Sequence, residues 1–177
     1  MANTGAFLSG TERNFDADGL IVSKTDLQGK LVYGNRLFYE LADLTEKDCL
    51  GTQHNIVRHP EMPRAVFDLL WKTIKNGKEI FSYVVNRASN GDHYWVFAHV
   101  TPSFDKAGEM NGYHSNRRVP DKFIVNRDII PLYKKLCEIE TRDPSPKSGL
   151  EKSSNFIKEL LKKEQKEFNE LMFSLGE

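Results

Sequence analysis

Cysteine is nearly missing from this sequence: only Cys49 and Cys137 occur. They stand far apart and outside any metal-ligand spacing, which sets aside a disulfide framework or a zinc module and fits a reducing compartment. Charge of either sign is not in excess, since 25 Lys and Arg balance 25 Asp and Glu for a formal net charge of +0. Nucleic acid and anionic membranes both demand a basic surplus, so neither is expected as a partner. No apolar run approaches the roughly 20 residues that cross a bilayer, so no direct membrane insertion is expected. The start, Met1-Ala-Asn-Thr-Gly-Ala-Phe7, lacks the charged and apolar regions of a secretory signal. No nucleophile or acid–base motif is present, so the chain is not expected to be an enzyme. These absences point to a soluble, cytoplasmic protein. Its 177 residues, 39% hydrophobic and 11% aromatic, suffice for one real core with extensions.

What is present centres on His54-Asn55-Ile56-Val57-Arg58-His59-Pro60-Glu61-Met62-Pro63. Two prolines stiffen this polar loop and bias the residues before them to extended backbone. A stiff polar loop beside an apolar helix is a place to hold a ligand. The alternative is a loop whose polar residues cap the next helix and face water.

Around it the local patterns give an element order. Residues 1–18 read as an N-terminal arm or cap. Leu20–Lys24 and Lys30–Tyr33 flank the turn residues Asp26-Leu-Gln-Gly29 and form a hairpin. Arg36–Ala42 carries helical spacing, and Thr45 with Asp48 suggests a capped short helix stopped near Gly51. Met62–Asn76 is a longer helix with Val66, Leu69, Leu70, Thr73 and Ile74 on one stripe. Ile80–Ala88, His93–Thr101 and Met110–Val119 follow as a meander turning first at Asn90-Gly91-Asp92. The expected class is α+β, a five-stranded antiparallel sheet with short helices on one face, over residues 19–119.

Along His93–Val100 one face presents Tyr94, Val96, Ala98 and Val100, which suits a core or a pocket. The other presents His93, Trp95, Phe97 and His99. Two large aromatics there need cover from the arm, the C-terminal helices or a second copy in a homodimer. Residues 120–142 read as a helix kinked at Pro131, 143–149 as a linker and 150–177 as an amphipathic helix. In that last helix Leu150, Leu161 and Met172 stand eleven apart, a spacing open to a bundle seam or to docking on the chain's own domain.

Asp26-Leu-Gln-Gly-Lys-Leu-Val-Tyr-Gly-Asn35, Gln53–Pro63, Asn86-Arg-Ala-Ser-Asn-Gly-Asp-His-Tyr-Trp-Val96 and Gly112-Tyr-His-Ser-Asn-Arg117 resemble the PAS domains of aerotaxis receptors. The resemblance covers roughly residues 18–119. It implies a pocket holding FAD non-covalently, whose redox state is reported to a chemotaxis receptor. The layout resembles bipartite energy-taxis systems, in which a free PAS protein signals in trans to a membrane-bound chemoreceptor. By the resemblance, the flavin-binding positions fall on Asn35, His54, Arg58, His59, Trp71 and Asn86. Glu61 stands where the family usually has Asp, and Ile80 where it has Trp. Tyr94, on the pocket-suited face, completes the candidate set.

The residue types agree with such a ligand. Arg58 with a histidine can meet a pyrophosphate, Trp71 offers a flat face, and Asn35 and Asn86 can each donate and accept at a ring edge. A haem-binding PAS is the rival, since His54, His59, His93, His99 and His114 are possible ligands. A cofactor-free interaction module is the third reading. A flavin–cysteine adduct is set aside, because Cys49 lies in the unsuitable context Lys-Asp-Cys-Leu-Gly.

Overall fold

The computed structural model describes residues 7–175. The first six residues of the expected arm and the last two of the expected final helix lie outside the described residues. Five antiparallel strands form one sheet in the order β2-β1-β5-β4-β3. β1 (Ile21–Thr25) and β2 (Leu31–Gly34) are joined at Asp26, whose carboxylate accepts from the Gln28 and Lys30 amides at 2.9 and 2.8 Å. Gly29 closes that turn at φ +79, and a Cβ there would stand 2.9 Å from the Trp71 ring. β3 (Ile80–Arg87), β4 (His93–Phe104) and β5 (Met110–Arg118) form the meander. β4 runs past the expected Thr101 because Ser103 and Phe104 go on pairing with Gly112 and Met110.

Between β2 and β3 lie α1 (Arg36–Ala42), α2 (Glu46–Cys49), a 3-10 turn at His54–Val57 and α3 (Arg64–Lys75). The Thr45–Asp48 capping box starts α2 as the sequence implies. α3 buries Ala65, Val66, Leu70 and Ile74. It begins two residues later than expected, because Pro63 is extended (φ −59, ψ 139) and holds the N-cap position.

After β5 come α4 (Lys122–Ile124), a π-turn at Val125–Ile129 and α5 (Ile130–Arg142). Pro131 lies in the first turn of α5. The irregular turn before it absorbs the hydrogen bond that proline cannot make. The expected linker of seven residues shrinks to Asp143–Ser145, since Ser145 caps α6 (Pro146–Glu164). The single helix expected from residue 150 is in fact two. Gln165 adopts a left-handed conformation (φ 53), and α7 (Phe168–Ser174) then turns back onto the sheet, burying Leu171 and Met172. Gln165-Lys166-Glu167 are good helix formers, so tertiary burial overrides local preference here.

The strand parity holds, and the outer face is covered by the chain itself. Tyr133 of α5 lies 6.1 Å from the Trp95 ring, and Phe173 of α7 lies 5.6 Å from Phe97 and 4.7 Å from Phe81. The arm adds two backbone bonds, Arg13 N to His93 O at 2.7 Å and His93 N to Thr11 O at 3.0 Å. Of the three covers that strand parity leaves open, the arm and the C-terminal helices supply these contacts from within the chain. At the edge of β3, Asn169 Oδ1 accepts from the Phe81 amide at 2.9 Å and the Tyr133 hydroxyl donates to Tyr83 O. At the other edge, Leu31 N donates to Thr52 O and Gly51 N to Leu31 O, both at 2.8 Å.

Candidate functional site

Strand alternation aims Ser23 and Thr25 of β1, Val84 and Asn86 of β3, Ala98 and Val100 of β4, and Tyr113, Ser115 and Arg117 of β5 to the inner side. Opposite them, Phe67, Leu70, Trp71 and Ile74 repeat along one face of α3. Between these walls is a cavity of about 670 Å³, within the range of small-molecule sites. The stretch Gln53–Arg58 closes one side. Trp71 meets Tyr113 edge-on at 5.5 Å, and the Lys75 ammonium stands 5.6 Å from the Trp71 ring.

The polar groups set the chemistry. Arg117 is buried at 4% exposure, with no carboxylate in ion-pair range among the described residues. Its Nη2 donates to Ser23 Oγ and to His54 Nε2, both at 2.7 Å, and its guanidinium lies 5.6 Å from the Phe38 ring. Burial pushes the Arg117 pKa down to about 10, which leaves the group charged at neutrality. Burial and then the Arg117 charge push His54 down to about 3, so His54 is neutral and offers a lone pair. Thr25 Oγ1 and Ser115 Oγ on the inner side are buried with no partner among the described residues. Unsatisfied buried polar atoms are uncommon in folded proteins, and a cluster along one cavity marks a ligand's place.

Four of the eight expected residues line the cavity: His54, Arg58, Trp71 and Asn86. Arg58 donates Nη2 to Met62 O at 3.3 Å, lies 4.7 Å from the Phe67 ring, and bridges by backbone to Asn86. Burial lowers its pKa. The other four lie elsewhere. Asn35 uses its whole amide: Oδ1 accepts from Val22 N at 3.0 Å and Phe38 N at 3.1 Å, and Nδ2 donates to Leu20 O at 2.7 Å. It is the cap of α1 and not a cavity residue. His59 is buried against His93 at 5.8 Å, with Nδ1 accepting from Glu61 N at 3.2 Å. Glu61 is exposed, and Tyr94 is buried in the core, where its hydroxyl pKa is pushed up to about 12.

Sequence reading missed Arg117, Ser115, Thr25 and Phe67. The alternation Tyr113-His-Ser115-Asn-Arg117 held the signal, because it sets polar side chains on the core side of a strand. The rival readings also meet geometry. Neither cysteine lines the cavity, the side chains of His93, His99 and His114 belong to the outer face by strand parity, and His54 is the histidine that reaches the inner wall, where it meets Arg117.

Comparison with known proteins agrees with this architecture. Residues 31–116 match the family model described as PAS fold. The aerotaxis receptor of Escherichia coli (strain K12) is 41% identical over 120 residues, which cover 67% of this chain and 23% of the receptor. The chain thus spans less than a quarter of that relative's length. The dark structure of the blue-light photoreceptor Aureochrome1 LOV superposes with a TM-score of 0.54 at 22% identity, covering 63% of this chain and 86% of that one. A light-oxygen-voltage domain studied with a flavin analogue gives 0.52 at 18%, covering 59% and 78%. Residues 31–116 are therefore a PAS domain, in a chain related in sequence to the aerotaxis receptor.

Proposed function

We propose that this chain is a cytoplasmic redox sensor, not an enzyme, that holds FAD non-covalently in the inner cavity and signals in trans to a membrane chemoreceptor. The observation that carries the reading is the cavity itself: a buried cation without a carboxylate, beside hydroxyls without partners. A flavin fits that donor set. Thr25, Ser115 and Asn86 can serve the polar edge of its ring, and Trp71 and Phe67 offer flat apolar surface. Arg58 and Lys75 are the lining cations suited to a pyrophosphate. Bound FAD supplies reversible electron uptake. The protein's part is to hold it: Arg117 keeps a fixed positive charge at the inner wall, and neutral His54 fixes the guanidinium by accepting from it.

The similarity to the aerotaxis receptor supports a chemotaxis receptor as partner, and the flavin-analogue domain supports the class of ligand. Protein purified from its native host is expected to be yellow and to release FAD on denaturation. Arg58→Ala should weaken retention by about 1.5–3 kcal/mol, or about ten- to hundredfold. Haem in the denatured supernatant, or no chromophore, overturns the reading.

A further inference from the structure

α3 carries much of the cavity wall yet starts without a cap of its own. Pro63 holds the N-cap position and has no side-chain acceptor for the first amides. Glu140 of α5 supplies what is missing, from 76 residues away. Its Oε2 accepts from the Arg64 amide and from Arg64 Nε, both at 3.0 Å. Its Oε1 accepts from the Ala65 amide at 2.9 Å and from Ser153 Oγ at 3.0 Å. The carboxylate is buried, at 7% exposure for the residue. Gly149 permits this approach of α6, since a Cβ there would lie 2.6 Å from Glu140 O. Arg64 ties in the start of α6 as well, donating Nη1 to Pro146 O at 3.0 Å.

The cavity begins one turn further along α3. Phe67 packs under Arg58, and Trp71 follows. The segment leading into α3 is held from both sides: Arg58 Nη2 donates to Met62 O at 3.3 Å, and Cys137 Sγ of α5 donates to Glu61 O at 3.3 Å. Any change in how α5 and α6 dock therefore reaches the α3 wall through a short, hydrogen-bonded span.

We infer that Glu140 is a positioning residue for the cavity. Through it the α5–α6 pair completes the N-terminus of α3, so that docking of the pair and binding in the cavity form one coupled equilibrium. The inference rests on the flavin reading for its ligand and deepens it by naming the element that output would use. By reciprocity, a ligand that requires α3 in place tightens the α5–α6 pair. A partner that draws the pair away weakens the ligand by the same factor.

The test uses the full chain with Glu140→Gln, which keeps volume but turns N–H groups toward donors that need an acceptor. Two quantities are read: the FAD dissociation constant, and amide hydrogen exchange over residues 64–75 in the ligand-free protein. We expect the constant to rise at least about tenfold and exchange over 64–75 to quicken while residues 36–42 stay unchanged. Glu140→Asp, which keeps the carboxylate, should restore part of both effects. A lower melting temperature with an unchanged dissociation constant and unchanged exchange at 64–75 overturns the inference and leaves Glu140 merely structural. If the Gln variant does not fold, Ser153→Ala removes one of the four bonds, and the same pattern is expected at smaller amplitude; no change in either quantity overturns the inference. Failure of the wild type to bind FAD overturns the flavin reading alone. The exchange measurement then decides the inference, fast exchange at 64–75 supporting it and wild-type exchange overturning it.

Discussion

Arg117 and Glu140 are equally hidden from water and answered by the fold in opposite ways. Glu140 has a guanidinium, two amides and a hydroxyl on its two oxygens. Arg117 has one hydroxyl and one imidazole lone pair, no acid, and a cavity in front of it. Burying a charge is costly unless it is paired and hydrogen-bonded. A buried charge met by an opposite charge therefore reads as part of the framework, and one without an acid, set in the wall of a cavity, reads as a group suited to a ligand.

That contrast can be broken by experiment, and the largest effect belongs to the satisfied charge. Glu140→Ala leaves Arg64 and two helix amides without their acceptor and should cost about 3–5 kcal/mol of stability. Urea unfolding checks this as a lowered midpoint with an unchanged slope. Arg117→Met should behave in the opposite sense. Replacing an unpaired buried cation by an apolar side chain is expected to leave the ligand-free protein as stable or more stable. Affinity for FAD should meanwhile fall by about 1.5–3 kcal/mol, read by equilibrium dialysis.

The pH dependence sharpens the comparison from the side of His54. Its folded pKa of about 3 lies below the ordinary 6.5, so between these values the unfolded chain binds a proton that the folded chain refuses. The contribution is complete above pH 6.5 and is lost as pH falls toward 3, with a slope of about 1.4 kcal/mol per pH unit. Buried His59, whose pKa is also lowered by burial, adds in the same direction. His54→Gln should remove one proton's share of that slope, measured by unfolding at pH 4.5 and pH 7. The smallest effect is expected at Asn35. Asn35→Ala removes the α1 cap for about 1 kcal/mol of stability and should leave FAD affinity unchanged, because its amide is spent outside the cavity.

Features written in adjacent residues were legible without a structure. The Asn90-Gly91-Asp92 turn, the Thr45–Asp48 box and the α3 stripe are local patterns, and each is where the sequence puts it. The parity of β4 also showed that Trp95 and Phe97 need cover, though not that Tyr133 and Phe173 provide it. Glu140 was illegible for a plain reason: in sequence it is one acid in Glu138-Ile-Glu140, and the two helix amides it caps stand 76 and 75 residues upstream. The bend at Gln165 was hidden because its neighbours favour helix, and only the burial of Leu171 and Met172 against the sheet explains it. In the site, motif position brought out His54, Arg58, Trp71 and Asn86. It could not separate them from Asn35 or Tyr94, because a residue's place in a motif does not say which partners its polar atoms already have.

The two edges of the sheet carry a consequence for assembly. On β3 the Phe81 amide is taken by Asn169 and the Tyr83 carbonyl by Tyr133, and on β2 the amide and carbonyl of Leu31 are taken by Thr52 and Gly51. A strand from another chain would meet an interrupted ladder at these positions, which works against edge-to-edge pairing there. Side-chain contacts on the helical surface, unlike main-chain pairing, are not limited by these interruptions.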